Sequence, residues 1–272
     1  MNRNALQTGV SHQMIVAGLM VTLILCYDVV IFLRPSVRVA VVCTTGAGES
    51  AAATVAILKE AAGIVCTTIE AIDLRDWDTC DRFDVLIFPG GSCSKQAEEL
   101  GPMGRENVRR FVAAGGGYIG ICAGAYLALC QNENALGIIR AIPRSIPRYH
   151  VEGWGRVSGE VRGGLLDISF TDDGAASLAM SQRTISMAYA GGPILSLDFQ
   201  GADQWSSVPV VLATYSSEPS VFDFQQRMLL GTPAIITGTY GEGTVIAMSP
   251  HPDLITGAEQ VLVNSVRFAS RK

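Results

Sequence analysis

From Pro35 onward the apolar residues fall into short runs whose spacing changes between two patterns. The run "VRVAVVC", residues 37–43, is almost continuous and rich in β-branched residues, the signature of a strand buried on both faces. A helix-favouring run from Ala51 to Ala62 follows, and "GIVCTTIE" reads as a second strand. "FDVLIFPGG" predicts a third strand ending at Gly90 and Gly91, "NVRRFVAAG" the end of a helix closed by glycine, and "GYIGI" a fourth strand. This alternation of strand and helix predicts an α/β fold with a doubly wound, mainly parallel sheet.

The texture changes from Gly155. Short β-rich runs take over in "GRVSGEV", "LLDISF", "ISMAYAGG", "VPVVLATYS" and "AIITGTYGEGTVIAMS", the last with a hairpin turn at Gly241-Glu242-Gly243. "GAEQVLVNSVRFAS" then predicts an amphipathic helix with Val261, Leu262, Val266 and Phe268 near one face. There is no internal repeat.

Ahead of this domain, "MIVAGLMVTLILCYDVVIFL", residues 14–33, carries Asp28 as its only charge and has about the length that crosses a bilayer, roughly 20 residues. The expected organisation is therefore a leader over residues 1–34 with a membrane anchor at 14–33, then one domain over 35–272. Membrane association through that segment is expected; without it the chain would be cytoplasmic. Deletion of the leader is expected to leave a folded domain.

Composition narrows the function. The 20 Lys and Arg against 25 Asp and Glu give a net charge of −5 with no dense basic run, which argues against a nucleic-acid partner and for a small-molecule or acyl substrate. The 7 cysteines are scattered through apolar segments with no CxxC pair, a pattern of reduced, mostly buried thiols; neither a disulfide framework nor a metal site is expected.

One cysteine stands apart. In "GICAGAY" Cys122 falls where the fourth strand turns into a helix, with Gly120 two residues before it and Gly124 two after. That is the spacing of a nucleophile elbow, in which small neighbours permit a strained turn that lifts the side chain above the sheet. Unpaired N–H groups at a helix start favour the thiolate. A thiolate nucleophile needs a base, and the chain offers His12, His150 and His251. His12 precedes the apolar leader and His150 lies in the Pro- and Arg-rich "IPRSIPRYHVEG". His251 follows a buried strand in "VIAMSPHPDL", and Pro252 extends the backbone so that His251 and Asp253 point the same way.

Taken together, "TTGAGES", "FPGG", "GICAGAY", "YAGGP" and "SPHPD" resemble the class I glutamine amidotransferase-like fold, which is flavodoxin-like, and within it the biotin protein ligase N-terminal domain family. The resemblance covers about Val37 to Ser270. It implies Cys122 as nucleophile, His251 as base and Asp253 as the acid that orients it. It also implies an oxyanion hole from the N–H groups of Gly91 and Ala123, with Gly90, Tyr189, Gly191 and Gly192 near the substrate. No cofactor is implied. The expected activity is cysteine-dependent amide or acyl hydrolysis, with a non-catalytic binding or regulatory module on the same fold as the alternative.

The sequence departs from the family in two respects. Asp253 stands where the amidotransferases usually carry glutamate, and Asp253→Glu is expected to be absorbed in a strand-exit loop. No GRGR-type biotin loop follows and no ligase or ammonia-accepting domain is evident, so biotin transfer is not expected and glutamine hydrolysis would need a separate partner. A remote alternative is dinucleotide binding: "GAGESA", residues 46–51, matches G-x-G-x-x-[GA], with Glu70 about 20 residues further on. Thr44 and Thr45 separate the strand from that first glycine.

Overall fold

The computed structural model describes residues 36–130, 134–144, 164–198, 205–218 and 229–270. Residues from Val37 onward form one unit. The expected strand at "GRVSGEV", His12, His150 and the segment 14–33 all lie outside the described residues. Against the expected membrane-spanning helix, no helix among the described residues is long and apolar enough to cross a bilayer.

In chain order the elements are β1 (Val37–Cys43), α1 (Gly48–Glu60), β2 (Ile64–Glu70), a 3-10 turn (Ala71–Arg75), α2 (Trp77–Cys80), β3 (Val85–Phe88), α3 (Cys93–Ala113), β4 (Gly117–Ile121) and α4 (Ala123–Ala128). Then come β5 (Ile142–Pro143), β6 (Leu165–Phe170), α5 (Asp172–Ser177), β7 (Thr184–Ala188), β8 (Leu195–Ser196), β9 (Val210–Tyr215), β10 (Pro233–Tyr240), β11 (Gly243–Met248) and α6 (Glu259–Ala269).

One nine-stranded sheet runs in the order β2-β1-β3-β4-β11-β10-β9-β6-β7, and β5 pairs only with β8. The pairs β2-β1, β1-β3, β3-β4 and β4-β11 are parallel. From β11 outward every pair is antiparallel. The leading order 2-1-3-4 is that of flavodoxin-like sheets, and it confirms the doubly wound reading. The β-rich C-terminal runs do not make a second layer; they lengthen the same sheet.

Both faces of β1, β3, β4 and β11 are largely buried, which explains their near-continuous apolar runs, whereas β2 at the sheet edge is mostly exposed. Val39, Val41, Ile87, Ile119 and Ile121 lie in one core with residues of α1 and α6, including Leu58 and Val261. Their neighbours Ala40, Val42, Leu86, Phe88 and Tyr118 lie in the other, with Leu100 and Val108 of α3 and Leu127 of α4. Alternation along each strand thus feeds two cores, and each large aliphatic side chain removed from water contributes about 1.5–3 kcal/mol. α3 bends at Gly101, whose φ of 62° is open to glycine at little cost and which stands directly before Pro102.

Candidate active site

Cys122, Gly90, Gly91, Ser50, His251 and Asp253 come together at the carboxyl ends of the parallel strands, where open α/β sheets place ligands. Cys122 immediately follows β4, Gly90 and Gly91 follow β3, Ser50 comes from α1 just after β1, and His251 and Asp253 follow β11.

The elbow is strained as the sequence implies. Cys122 has φ 50° and ψ −98°, and among the described residues only Ala179 is another non-glycine residue at positive φ. Such a backbone costs of order 1–3 kcal/mol and persists only where its surroundings hold it. Here the Cys122 N–H donates to the Met248 carbonyl at 2.8 Å, and the Cys122 carbonyl accepts from the Tyr126 N–H at 3.0 Å. A β-carbon at Gly120 would strike the Gly124 carbonyl, and one at Gly124 would strike the Phe88 carbonyl. Small residues are needed on both sides of the cysteine because backbone passes directly over them. The Tyr118 hydroxyl, buried beneath the turn, donates to the Gly124 carbonyl at 2.8 Å.

His251 is 4% exposed and Asp253 5%, so this pair is interior and not a loop tip. The His251 Nδ1 lies 3.2 Å from Asp253 Oδ1, and the imidazole stands close enough to the Cys122 side chain for the two to influence each other's charge. Burial by itself would lower the pKa of His251. The hydrogen bonds to Asp253 and Cys122 and the negative charges of both outweigh it, so the imidazolium is favoured well above the ordinary value of 6.5. The His251 N–H donates to the Ala188 carbonyl at 2.7 Å, tying the histidine strand to the end of β7.

Sequence reasoning missed Ser50. Its hydroxyl donates to Asp253 Oδ2 at 2.5 Å and accepts the Gly90 N–H at 2.8 Å. Asp253 thus has one oxygen on His251 and the other on Ser50. A signal was present in the sequence: Ser50, Thr54 and Leu58 are spaced by four and form part of the buried face of α1. A hydroxyl on a buried helix face calls for a polar partner.

The residues expected near the substrate all have close protein contacts around this centre. Gly90 lies directly against the His251 ring, and its N–H is taken by Ser50. Tyr189 is 1% exposed, donates from its hydroxyl to the Gly192 carbonyl at 3.0 Å and meets the Tyr215 ring edge-on. A β-carbon at Gly192 would run into the Ser249 carbonyl. Gly191, at φ 82°, turns the chain between them. What this segment presents to the cysteine is the Ala190 carbonyl, 3.9 Å from Sγ. By contrast, the N–H groups of Gly91 and Ala123 make no hydrogen bond to another described residue; Ala123 opens α4, where a helix has no acceptor for its first N–H.

Cys93 stands at the start of α3 within electrostatic reach of this centre: burial first, then the Cys122 charge, pushes its thiol up to about 11. It also lines a cavity of about 460 Å³ with Glu98, Pro102, Arg105 and Asn134. The "GAGESA" loop is engaged by the protein itself, since a β-carbon at Gly91 would come within 2.9 Å of Ala47 Cα and Ser50 is committed to Asp253. No group of His, Cys, Asp and Glu suited to a metal occurs among the described residues.

The sheet with leading order 2-1-3-4 has the class I glutamine amidotransferase-like fold, and here it carries a strained cysteine after β4 and a histidine–aspartate pair after β11. A family model described as "Biotin-protein ligase, N terminal" matches residues 41–138. That stretch, from β1 through α4, is where the chain is similar to the biotin-protein ligase N-terminal family. PurLQS from Thermotoga maritima shares the fold at 17% identity and a TM-score of 0.54, over 86% of this chain and 98% of that one. A ThuA-like protein from Bacteroides uniformis does so at 12% identity and 0.55, over 87% and 92%. No curated protein matches the sequence.

Proposed function

We propose that this domain hydrolyses an amide or related acyl bond with Cys122 as nucleophile. The Cys122 Sγ attacks the acyl carbon, and the carbonyl electrons move onto oxygen. Gly91 and Ala123, whose N–H groups bond no other described residue, donate to that oxyanion. As the carbonyl re-forms, the C–N bond breaks and His251 gives its proton to the departing nitrogen, leaving a thioester on Cys122. His251 then takes a proton from water, the resulting hydroxide attacks the thioester, and the C–S bond breaks to release the acid and regenerate the thiolate–imidazolium pair. Asp253 holds the imidazole in the required tautomer and supports its positive charge.

The observation that carries this reading is the strained backbone of Cys122 combined with the buried, hydrogen-bonded His251–Asp253 pair beside it. Strain of that kind at a thiol, with a buried charged partner, is a poor arrangement for packing alone.

The test is a panel of amides, glutamine first, with released ammonia measured for the wild type and Cys122→Ser. Ammonia release that falls at least about 100-fold in the variant supports the reading. Equal release, or none from any amide of the panel, sets it aside in favour of a binding module.

A further inference from the structure

The Pro89–Gly90 peptide is gripped from both ends. Its N–H donates to Ser50 Oγ at 2.8 Å, and its carbonyl accepts from Gln96 Nε2 at 2.7 Å. Both side chains are buried, Gln96 fully. The Gly91 N–H, which the proposed mechanism directs at the oxyanion, belongs to the next peptide, joined to this one through the Gly90 Cα. A peptide held on its oxygen and its nitrogen cannot rotate without breaking both bonds.

The direction of the Ser50 hydroxyl is fixed by its neighbours. A backbone N–H can only donate, so Ser50 must accept from Gly90. An ionised carboxylate can only accept, so the single hydroxyl proton goes to Asp253. The hydroxyl is therefore one link in a connected series: Gly90 N–H donates to Ser50, Ser50 O–H donates to Asp253 Oδ2, Asp253 Oδ1 accepts from His251 Nδ1, and the His251 ring stands beside Cys122.

We infer that Ser50 is a positioning residue that joins the acid–base arm of the site to its oxyanion arm, setting the orientation of Asp253 and of the Pro89–Gly90 peptide through one hydroxyl. It deepens the reading of Cys122 as a nucleophile and acts through Asp253 and Gly90 without touching the reacting atoms. The two arms belong to elements far apart in the chain, α1, β3 and β11, and the hydroxyl makes them a single unit.

Two readouts test this without requiring turnover. The rate of Cys122 alkylation by iodoacetamide, followed by peptide mass spectrometry, reports the acid–base arm, because alkylation at a saturated carbon forms no oxyanion. Hydrogen exchange at the Gly90 amide, followed by NMR, reports the other arm. Ser50→Ala should slow the first and speed the second, each by about tenfold, the scale of one lost hydrogen bond. Ser50→Thr, which keeps a hydroxyl, should return both to within about threefold of the wild type.

An unchanged value of either readout in Ser50→Ala, or equal changes in the alanine and threonine variants, overturns the inference. Should Ser50→Ala fail to fold by circular dichroism, Asp253→Ala replaces it. It removes the acceptor that orients the Ser50 hydroxyl, and Gly90 exchange should still rise about tenfold; unchanged exchange overturns the inference. If no amide is hydrolysed but both readouts move as stated, the proposed hydrolysis fails and the role of Ser50 stands.

Discussion

The ring of His251 occupies the space that a side chain at residue 90 would need. A β-carbon added to Gly90 would fall on His251 Cε1 and come within 3.1 Å of Nε2. Glycine at this position is required by the histidine, whatever the substrate.

Gly90→Ala should therefore displace the imidazole from Cys122 while leaving the sheet intact. A shift of about 1 Å in a catalytic group can cost about 100-fold in rate. Cys122 alkylation and any ammonia release should both fall to that extent, with an unchanged circular dichroism spectrum. Wild-type reactivity in this variant would mean that the ring is free to move aside.

The elbow glycines make a different prediction, about stability. At Gly124 an added methyl group would meet the Phe88 backbone carbonyl, and at Gly120 the Gly124 carbonyl. Backbone in β3 and α4 cannot step aside as a flexible side chain can, so alanine at either position should destabilise the domain by about 1–3 kcal/mol or more. Urea unfolding measures this. A loss below about 0.5 kcal/mol would show that the turn is not as tight as drawn.

The protonation of His251 has a definite sign. Burial works against the imidazolium, but the hydrogen bonds and charges of Asp253 and Cys122 prevail, so its pKa in the folded chain lies above the ordinary 6.5. A raised folded value contributes stability that is fully present below about pH 6.5 and is lost as the pH rises through the folded value. The stability advantage of the wild type over His251→Gln should be flat in acid and shrink with rising pH. In NMR titrations of the imidazole, Asp253→Asn and Cys122→Ala should each lower the midpoint; an unmoved midpoint in both variants would contradict the proposed pairing.

Asp253 corrects an expectation drawn from the sequence. A strand-exit loop seemed able to absorb a longer acid, yet the Asp253 side chain is wholly buried and holds Ser50 with one oxygen and His251 with the other. Asp253→Glu would push an extra methylene into filled space and break the match to both partners. It should reduce Cys122 alkylation by about tenfold or more, close to the effect of Asp253→Asn. Near-wild-type reactivity of the glutamate variant would restore the original expectation.

The parallel half of the fold was legible because strands buried on both faces leave uninterrupted runs such as "VRVAVVC" and "VLIF", and each run ends in the glycines of a turn. The order of the antiparallel half was not. β9 joins β6 and β10, strands far from each other in the chain, and no local pattern encodes such a pairing. At the site, Cys122, His251 and Asp253 were readable because elbow spacing and i, i+2 alternation are local rules. Ser50 was not read, since its partners Gly90 and Asp253 lie 40 and 203 residues away. Tyr189, Gly191 and Gly192 carried a motif whose letters predict nearness to the site; their contacts brace the strand end that holds His251.

The most direct test of an activated Cys122 is competition among cysteines for limiting iodoacetamide. Cys122 is only 7% exposed, whereas Cys43, Cys66, Cys93 and Cys130 are half-buried and Cys80 is buried. Burial raises the thiols of Cys43, Cys66, Cys80 and Cys93, which makes them poor nucleophiles at neutral pH. If His251 holds Cys122 as a thiolate, Cys122 should take the label at least about tenfold faster than Cys43, Cys66, Cys80, Cys93 or Cys130, and His251→Ala should abolish that preference. Labelling in order of exposure, with Cys122 among the slowest and indifferent to His251, would contradict the account.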